Sequence, residues 1–369
     1  MNRIVKCILV DTAYPVNIRN EKIMDSLRGF IPDIDIRVIT WDRNKIAQSS
    51  REGIYYLYRG DVKLGDRIKK FLYLHRFKRF VEDIISKEKP NIIIASHWET
   101  LYALPRRVNQ SACVIYENLD IPDGSRIAIK VGTFIERKSL YKADIITHAS
   151  RFFLKLFEGC KQKQIVLENK PMFDGIEQKS DIGNPFVISF IGTIRYFETI
   201  SKLVDALKDD SRFELHFYGG GPDYELLSHY CSGICNVKLF GKYDYKDVKF
   251  LYRASDLIWA VYPNKDYNVK YAISNKFYES MYLGVPCVYA NKTELGDFVD
   301  ENRIGYTVDP YSVEKIKELL EQVYLEKTHY NEIKHNIYEF AKQETTWDAD
   351  FNGLMDMIKH TGKITCKSL

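Results

Sequence analysis

Apolar runs of strand length alternate with longer amphipathic stretches almost from end to end of this chain. Parallel sheets with crossover helices produce that pattern, and few other architectures accept it. In the first half the strand-like runs are 4–10, 34–40, 54–58, 92–95, 113–116, 145–147 and 165–167. The pattern restarts at 187–191 and continues through 214–218, 237–240, 257–261, 287–289 and 305–308. Between the two series, 169–185 contains Pro171, Gly175, Gly183 and Pro185 and no long apolar run, as a linker does. At 369 residues there is room for two cores. Two doubly wound α/β domains, 1–170 and 171–345, are the economical reading. The helical tail ends in a segment, 346–369, with length enough to cross back onto the first domain.

With 45% hydrophobic and 28% charged residues, the chain has the composition of a soluble globular protein. Its first apolar run is interrupted by Lys6 and is too short for a signal peptide. No later segment approaches a transmembrane span, so the expected location is the cytoplasm. The seven cysteines, Cys7, Cys113, Cys160, Cys231, Cys235, Cys287 and Cys366, are scattered and form no Cys-x-x-Cys pair. Apart from His229, no histidine stands near them at zinc spacing, so they read as reduced thiols, several of them in strands.

The net charge of +4 conceals an asymmetry of +11 over residues 1–170 against −7 over the rest. Much of the excess lies in Arg59, Lys63, Arg67, Lys69, Lys70, Arg76, Lys78 and Arg79, around Phe71, Leu72, Leu74, Phe77 and Phe80. A basic amphipathic segment of this kind, 59–80, suits an anionic membrane surface or an acidic partner. It would make the protein peripheral at the inner face of the plasma membrane. A solvated helix face explains the same charges. No nucleic-acid-binding motif accompanies them, and nucleic acid is not an expected partner.

The stretch 274–286 reads as a helix with both ends marked. Ser274 is a good N-cap, Gly284 stands where a left-handed residue ends a helix, and Pro286 prevents resumption. Asn275, Lys276 and Glu279 share one side of its first turn and a half. An anion there would meet backbone N–H groups, the positive dipole end and Lys276 together. Glu279, one turn deeper, can accept two hydrogen bonds from a vicinal diol such as a ribose. The plain alternative is a Lys276/Glu279 ion pair on an ordinary core helix.

In open parallel sheets, ligands sit outside the carboxyl ends of the strands. After the strand 187–191 comes Gly192-Thr193-Ile194-Arg195, a small residue followed three positions on by a guanidinium. After 214–218 comes Gly219-Gly220-Gly221-Pro222, a turn permissive enough to admit a ligand against bare backbone. Singly, such a glycine run is most often a simple turn. With the capped helix, three loops on one sheet edge suit the diphosphate of a sugar nucleotide.

Gly192, the 219–222 turn, Phe240-Gly241, Ala254-Ser255-Asp256, and Asn275-Lys276-Phe277-Tyr278-Glu279 with Gly284-Val285-Pro286 resemble the donor domain of retaining GT-B glycosyltransferases of family four (glycosyl transferases group 1) in order and spacing. Ala143-Asp144, Ser150 and Glu168-Asn169 extend the resemblance more loosely into the first half. It implies a GT-B fold, two Rossmann-like domains facing across a cleft. By it, Glu279 binds the donor ribose, the helix opening at Ser274 receives the diphosphate, the Gly192–Arg195 loop contacts phosphate, and the main chain near Tyr243 faces the base. Two positions depart from the family. An acidic residue that contacts the transferred sugar is here Tyr271, and the phosphate-binding Arg directly after the first Gly is Thr193, with Arg195 as substitute.

On the acceptor side, His97 ends the strand-like run 91–96, where the family often carries a His near the reacting sugar. It suits proton transfer or holding the donor, or is a loop-end His bonded to local backbone. Glu117 and Asp120 follow the next strand and would face the same cleft, as candidates for acceptor hydroxyls or the leaving proton. Arg19, before the first helix, suits an acceptor phosphate or a plain helix entry.

The expectation is therefore a retaining glycosyltransferase moving a sugar from a UDP- or GDP-linked donor to a glycan or lipid-linked acceptor. The resemblance implies a setting in bacterial surface polysaccharide assembly. The helix opening, Lys276 and Arg195 would stabilise the leaving diphosphate, so no metal or other cofactor is expected. The main alternative is a non-catalytic sugar-nucleotide-binding partner of an active transferase, which Tyr271 keeps open. A sugar-nucleotide epimerase would need a paired acid/base constellation, and none is evident. A Rossmann dehydrogenase would need a Gly-x-Gly-x-x-Gly after the first strand, and that is missing.

Overall fold

The structure, a computed structural model, describes residues 4–42, 55–59, 67–177 and 182–364, without the side chains of 67–72. It divides into two units, Met1–Asn169 with Trp347–Leu369, and Lys170–Thr346.

The first unit runs β1 (Lys6–Asp11), α1 (Ile18–Phe30), β2 (Asp35–Asp42), β3 (Tyr55–Arg59), α2 (Arg67–Glu88), β4 (Ile92–Ser96), α3 (Trp98–Ala103), β5 (Cys113–Asn118), α4 (Arg126–Ser139), β6 (Ile145–His148) and β7 (Lys163–Val166). The strands form one sheet in the order β3-β2-β1-β4-β5-β6-β7, parallel throughout. Alternate residues of β1 enter different cores. Cys7 and Leu9 pack with Ile23 and Leu27 of α1 on one face, Ile8 and Val10 with Phe77 and Val81 of α2 on the other. A sheet covered on both faces has no polar side, hence the continuous apolar runs. β7 begins two residues before the expected run, because Lys163 and Gln164 already pair with Ile145 and Ile146.

The second unit runs β8 (Phe186–Ile191), α5 (Phe197–Leu207), β9 (Phe213–Tyr218), α6 (Tyr224–Tyr230), β10 (Val237–Gly241), α7 (Val248–Arg253), β11 (Leu257–Ala260), α8 (Tyr267–Tyr271), α9 (Asn275–Leu283), β12 (Cys287–Ala290), α10 (Glu294–Asn302), β13 (Tyr306–Val308), α11 (Val313–Leu325) and α12 (Lys327–Gln343). Its sheet is again parallel, in the order β10-β9-β8-β11-β12-β13. The order reverses between β8 and β11, where a crevice opens at the strand ends. Residues 170 and 345 meet within this unit, the Lys170 ammonium bonding Thr345 Oγ1 and pairing with Glu344 at 3.4 Å. The final helix, α13 (Trp347–Lys359), belongs to the first unit, where Trp347, Phe351, Leu354 and Ile358 join the α1 side of the core.

Of the basic segment 59–80, residues 60–66 and the side chains of 67–72 lie outside the described residues, and with them Lys63, Arg67, Lys69 and Lys70. The part that is described does not keep its apolar side free. Leu74 and Phe77 are buried in the core and Phe80 packs against it, so the fold uses the stripe that a membrane would need. Cys7, Cys113 and Cys287 are buried in strands as free thiols, and burial pushes Cys113 and Cys287 up to about 12. Cys366 lies outside the described residues.

Candidate functional site

At the crevice of the second unit the sequence-predicted loops meet. α9 starts where expected, with Ser274 as N-cap accepting from the Lys276 amide at 3.3 Å, and ends on Gly284 at φ 63°. Ser274 O also accepts from the Phe277 amide at 2.9 Å. The cap thus takes amides that were expected to await an anion, and the dipole end and Lys276 remain.

Lys276 is only 5% exposed, yet it has no carboxylate partner among the described residues. Its ammonium donates to Tyr262 Oη at 2.7 Å and lies over the rings of Phe190 (4.5 Å) and Tyr262 (5.4 Å). The alternative of an ion pair with Glu279 is not formed. A Cβ added at Gly192 would come within 2.9 Å of Lys276 Nζ, so the glycine at the end of β8 is what lets the ammonium reach the turn.

The Gly219–Gly221 run also packs against the neighbouring loop. A Cβ on Gly219 would overlap the Gly192 carbonyl, and one on Gly221 the Ile194 carbonyl. The glycines let two loops stack, with Gly192 N–H donating to Tyr218 O at 2.8 Å and Ile194 N–H to Gly220 O at 2.9 Å. Gly220 itself faces Lys242. The alternation leaves the amides of Thr193 and Arg195 with no backbone partner among the described residues. Arg195 is exposed, its guanidinium 4.8 Å from the Tyr196 ring. Asp223, just past the turn, accepts from the Phe197 amide at 2.9 Å and so caps α5. Asn275 is exposed at the opening of α9, and Tyr271, at the end of α8, packs edge-on against Tyr267.

Glu279, 6% exposed, is fixed by two tyrosines that the sequence reading missed. Tyr252 Oη donates to Oε2 at 2.8 Å and Tyr245 Oη to Oε1 at 3.1 Å. Tyr252 is fully buried, whereas Tyr245 is exposed in the turn after β10. Tyr243, in the same loop, has its phenol pushed up to about 12, first by burial and then by the Glu279 charge. The loop assigned to a base and the carboxylate assigned to a ribose are therefore neighbours. The signal for the tyrosines was their recurrence after Phe240-Gly241.

In the first unit, His97 caps α3 with φ 71°, a left-handed conformation unusual outside glycine. Its main chain is engaged, with N–H donating to Glu117 O at 3.1 Å. Its half-buried imidazole makes no capping bond, so the local-backbone alternative does not describe the ring. Asp11, buried at the end of β1 and missed in the sequence, feels the His97 charge. Burial raises its carboxyl, and His97 with the Ala13 amide and Asn20 counters this.

Glu117 and Arg19 do not stand open to an acceptor. They pair with one another, Arg19 Nε to Glu117 Oε1 at 2.7 Å, both buried, while Thr147 Oγ1 takes the other carboxylate oxygen and Leu167 O takes Arg19 Nη2. Of the Arg19 nitrogens, Nη1 is buried without a hydrogen-bond partner among the described residues. Asp120 is exposed in the loop after β5.

Residues 173–342 match the family model described as glycosyl transferases group 1. No curated protein sequence matches the chain. Among solved structures, the chain is similar to sucrose-phosphate synthase from Thermosynechococcus elongatus, with TM-score 0.74 and 13% identity over 97% of this chain and 99% of that one. Anabaena HepE in complex with UDP and glucose gives 0.70 and 14% over 96% and 99%. The lipopolysaccharide outer core galactosyltransferase WaaB, in apo form, gives 0.64 and 14% over the same shares. At such identities the likeness is one of fold, two Rossmann-like parallel-sheet domains of the GT-B kind.

Proposed function

We propose that this chain, a transferase whose residues 173–342 belong to the glycosyl transferases group 1 family, moves a sugar from a UDP- or GDP-linked donor onto a glycan or lipid-linked saccharide. We take the reaction to proceed with retention and to serve surface polysaccharide assembly at the inner face of the plasma membrane, reached peripherally. Among the described residues no helix is long and apolar enough to cross a membrane.

The observation that carries the reading is the buried ammonium of Lys276, which has no counter-ion among the described residues and sits at the Gly192 turn beside the opening of α9. A desolvated cation is costly unless an anion completes it, and a diphosphate is the anion this crevice suits. Lys276, Arg195, the Thr193 amide and the dipole of α9 would take up the charge that develops on the leaving diphosphate, a task that needs no metal. The ribose would exchange its hydroxyls for the Tyr245 hydroxyl on Glu279, with Tyr252 keeping the carboxylate aimed. The base would lie along Tyr243, the sugar near Tyr271 and Asn275. In the first unit His97 would act on the transferring sugar, with Asp120 at the acceptor. Glu117 and Arg19 serve as a buried pair shaping that loop.

A thermal-shift screen of UDP, GDP and their sugars tests the reading. The HepE complex puts uridine first. A cognate diphosphate at about 100-fold over its Kd adds roughly 2.7 kcal/mol, or about 5–10 °C for a unit of this size. If no nucleoside diphosphate moves the melt, the reading fails. His97→Ala should lower turnover on the order of 10²-fold while leaving the nucleotide-induced shift intact. Full turnover in that variant would remove His97 from the reaction.

A further inference from the structure

Helix α4 leaves an apolar stripe exposed where a surface helix is ordinarily polar. Ile127, Val131 and Phe134, spaced i, i+4, i+7, are 75%, 50% and 62% exposed. The fully buried positions are Gly132, Glu136 and Ser139, with Ala128, Ile129 and Ile135 half-buried beside them. That inner fit is tight. A Cβ on Gly132 would come within 2.7 Å of Pro122 Cβ, and Tyr116 Oη donates to the Glu136 carboxyl, so the helix cannot roll to hide its stripe.

Charge accompanies the exposed stripe. Arg126, Lys130 and Lys138 are exposed along the helix, and its one acid, Glu136, is buried. Asp120 and Asp123 are the exposed acids in the loop ahead of it. Apolar side chains bordered by cations, with no exposed acid on the same helix, complement an anionic bilayer. A second copy of this face is a poor match, because a two-fold contact would set these cations against their equivalents.

We infer that the outer face of α4 docks onto an anionic lipid surface. Ile127, Val131 and Phe134 enter the boundary between headgroups and acyl chains, and Arg126, Lys130 and Lys138 meet lipid phosphates. The inference goes beyond the transfer reaction and stands whether or not the donor assignment does.

The test is sedimentation of the full chain with vesicles of phosphatidylglycerol and phosphatidylcholine, against phosphatidylcholine alone. The chain sediments with the anionic vesicles, less so as salt is raised. Lys130→Gln and Lys138→Gln each lower the partition coefficient about fivefold. The pair Ile127→Ser and Phe134→Ser lowers it by more than about tenfold, and Lys315→Gln, an exposed cation on α11, leaves it unchanged. These side chains are exposed, so the variants keep the fold, which their melting temperatures verify. Equal partition of wild type and α4 variants, or no sedimentation of the wild type, overturns the inference. So does a concentration-dependent dimer in sedimentation velocity that Phe134→Ser abolishes, which would make the face a contact between copies.

Discussion

Replacing Lys276 by Met separates a ligand-holding ammonium from a structural one. The side chain is 5% exposed, its hydrogen-bond partner is the neutral Tyr262 hydroxyl, and its other neighbours are the Phe190 and Tyr262 rings. Met has nearly the same length and suits that aromatic lining. Losing the hydrogen bond costs roughly 1.5–3 kcal/mol. Removing a buried charge that lacks a counter-ion returns a similar amount. The melting temperature should therefore stay within about 4 °C of wild type. A bound diphosphate, in contrast, loses a charge-assisted bond of roughly 1.5–3 kcal/mol, which raises Kd about 10- to 150-fold. Calorimetry with the cognate diphosphate and with its nucleoside is the assay, since the nucleoside carries no phosphate and should bind both proteins alike. A diphosphate Kd within about threefold of wild type would refute the reasoning. An equal loss for the nucleoside, or a melt lowered by much more than the figure above, would show Lys276 to be structural.

Tyr245→Phe removes a hydroxyl that competes for Glu279 and should tighten diphosphate binding about two- to tenfold, whereas Glu279→Ala should weaken it; titrations of both check the assignment. Gly219→Ala places a Cβ on the Gly192 carbonyl at φ 135°, and chemical denaturation should register a loss of at least roughly 1–3 kcal/mol together with weakened nucleotide binding. Burial raises the Glu136 carboxyl from 4.5 to about 7, outweighing the Tyr116 bond that lowers it. The folded protein then holds a proton that the unfolded chain releases, so this group's contribution is complete below pH 4.5 and is lost as pH rises through about 7, roughly 3 kcal/mol in all. In Glu136→Gln, denaturant midpoints across that window should fall less steeply with pH, and an unchanged slope would exonerate Glu136.

The strands were legible because a doubly covered parallel sheet writes itself as unbroken apolar runs. α9 was legible because Ser274, Gly284 and Pro286 act through local backbone geometry. Less legible was how polar groups divide among partners. Glu117 meets Arg19 across 98 positions, and Glu279 meets Tyr245 and Tyr252 only because two loops cross. The glycine turn looked the same whether its bare backbone faced a ligand or another loop, and the choice depends on how β8 and β9 end side by side. α2 and α4 show the same limit. α4 is apolar at Ile127, Ala128, Ile129, Val131, Phe134 and Ile135, nearly all round, so periodicity could not say which side Gly132 would pull inward. In α2 the cations drew the eye to a stripe that the core had already claimed.

The bond between Lys170 and Thr345 fastens the first residue of a continuous stretch to its last but one. The second unit is thus a cassette, inserted between Asn169 and Trp347, whose two ends are held together by its own side chains. A piece closed in this way can be lifted out or exchanged for a relative's with two cuts and no reordering of the chain. Chimeras joined at those two points would exchange the second unit while the first unit, with its final helix, stays as it is.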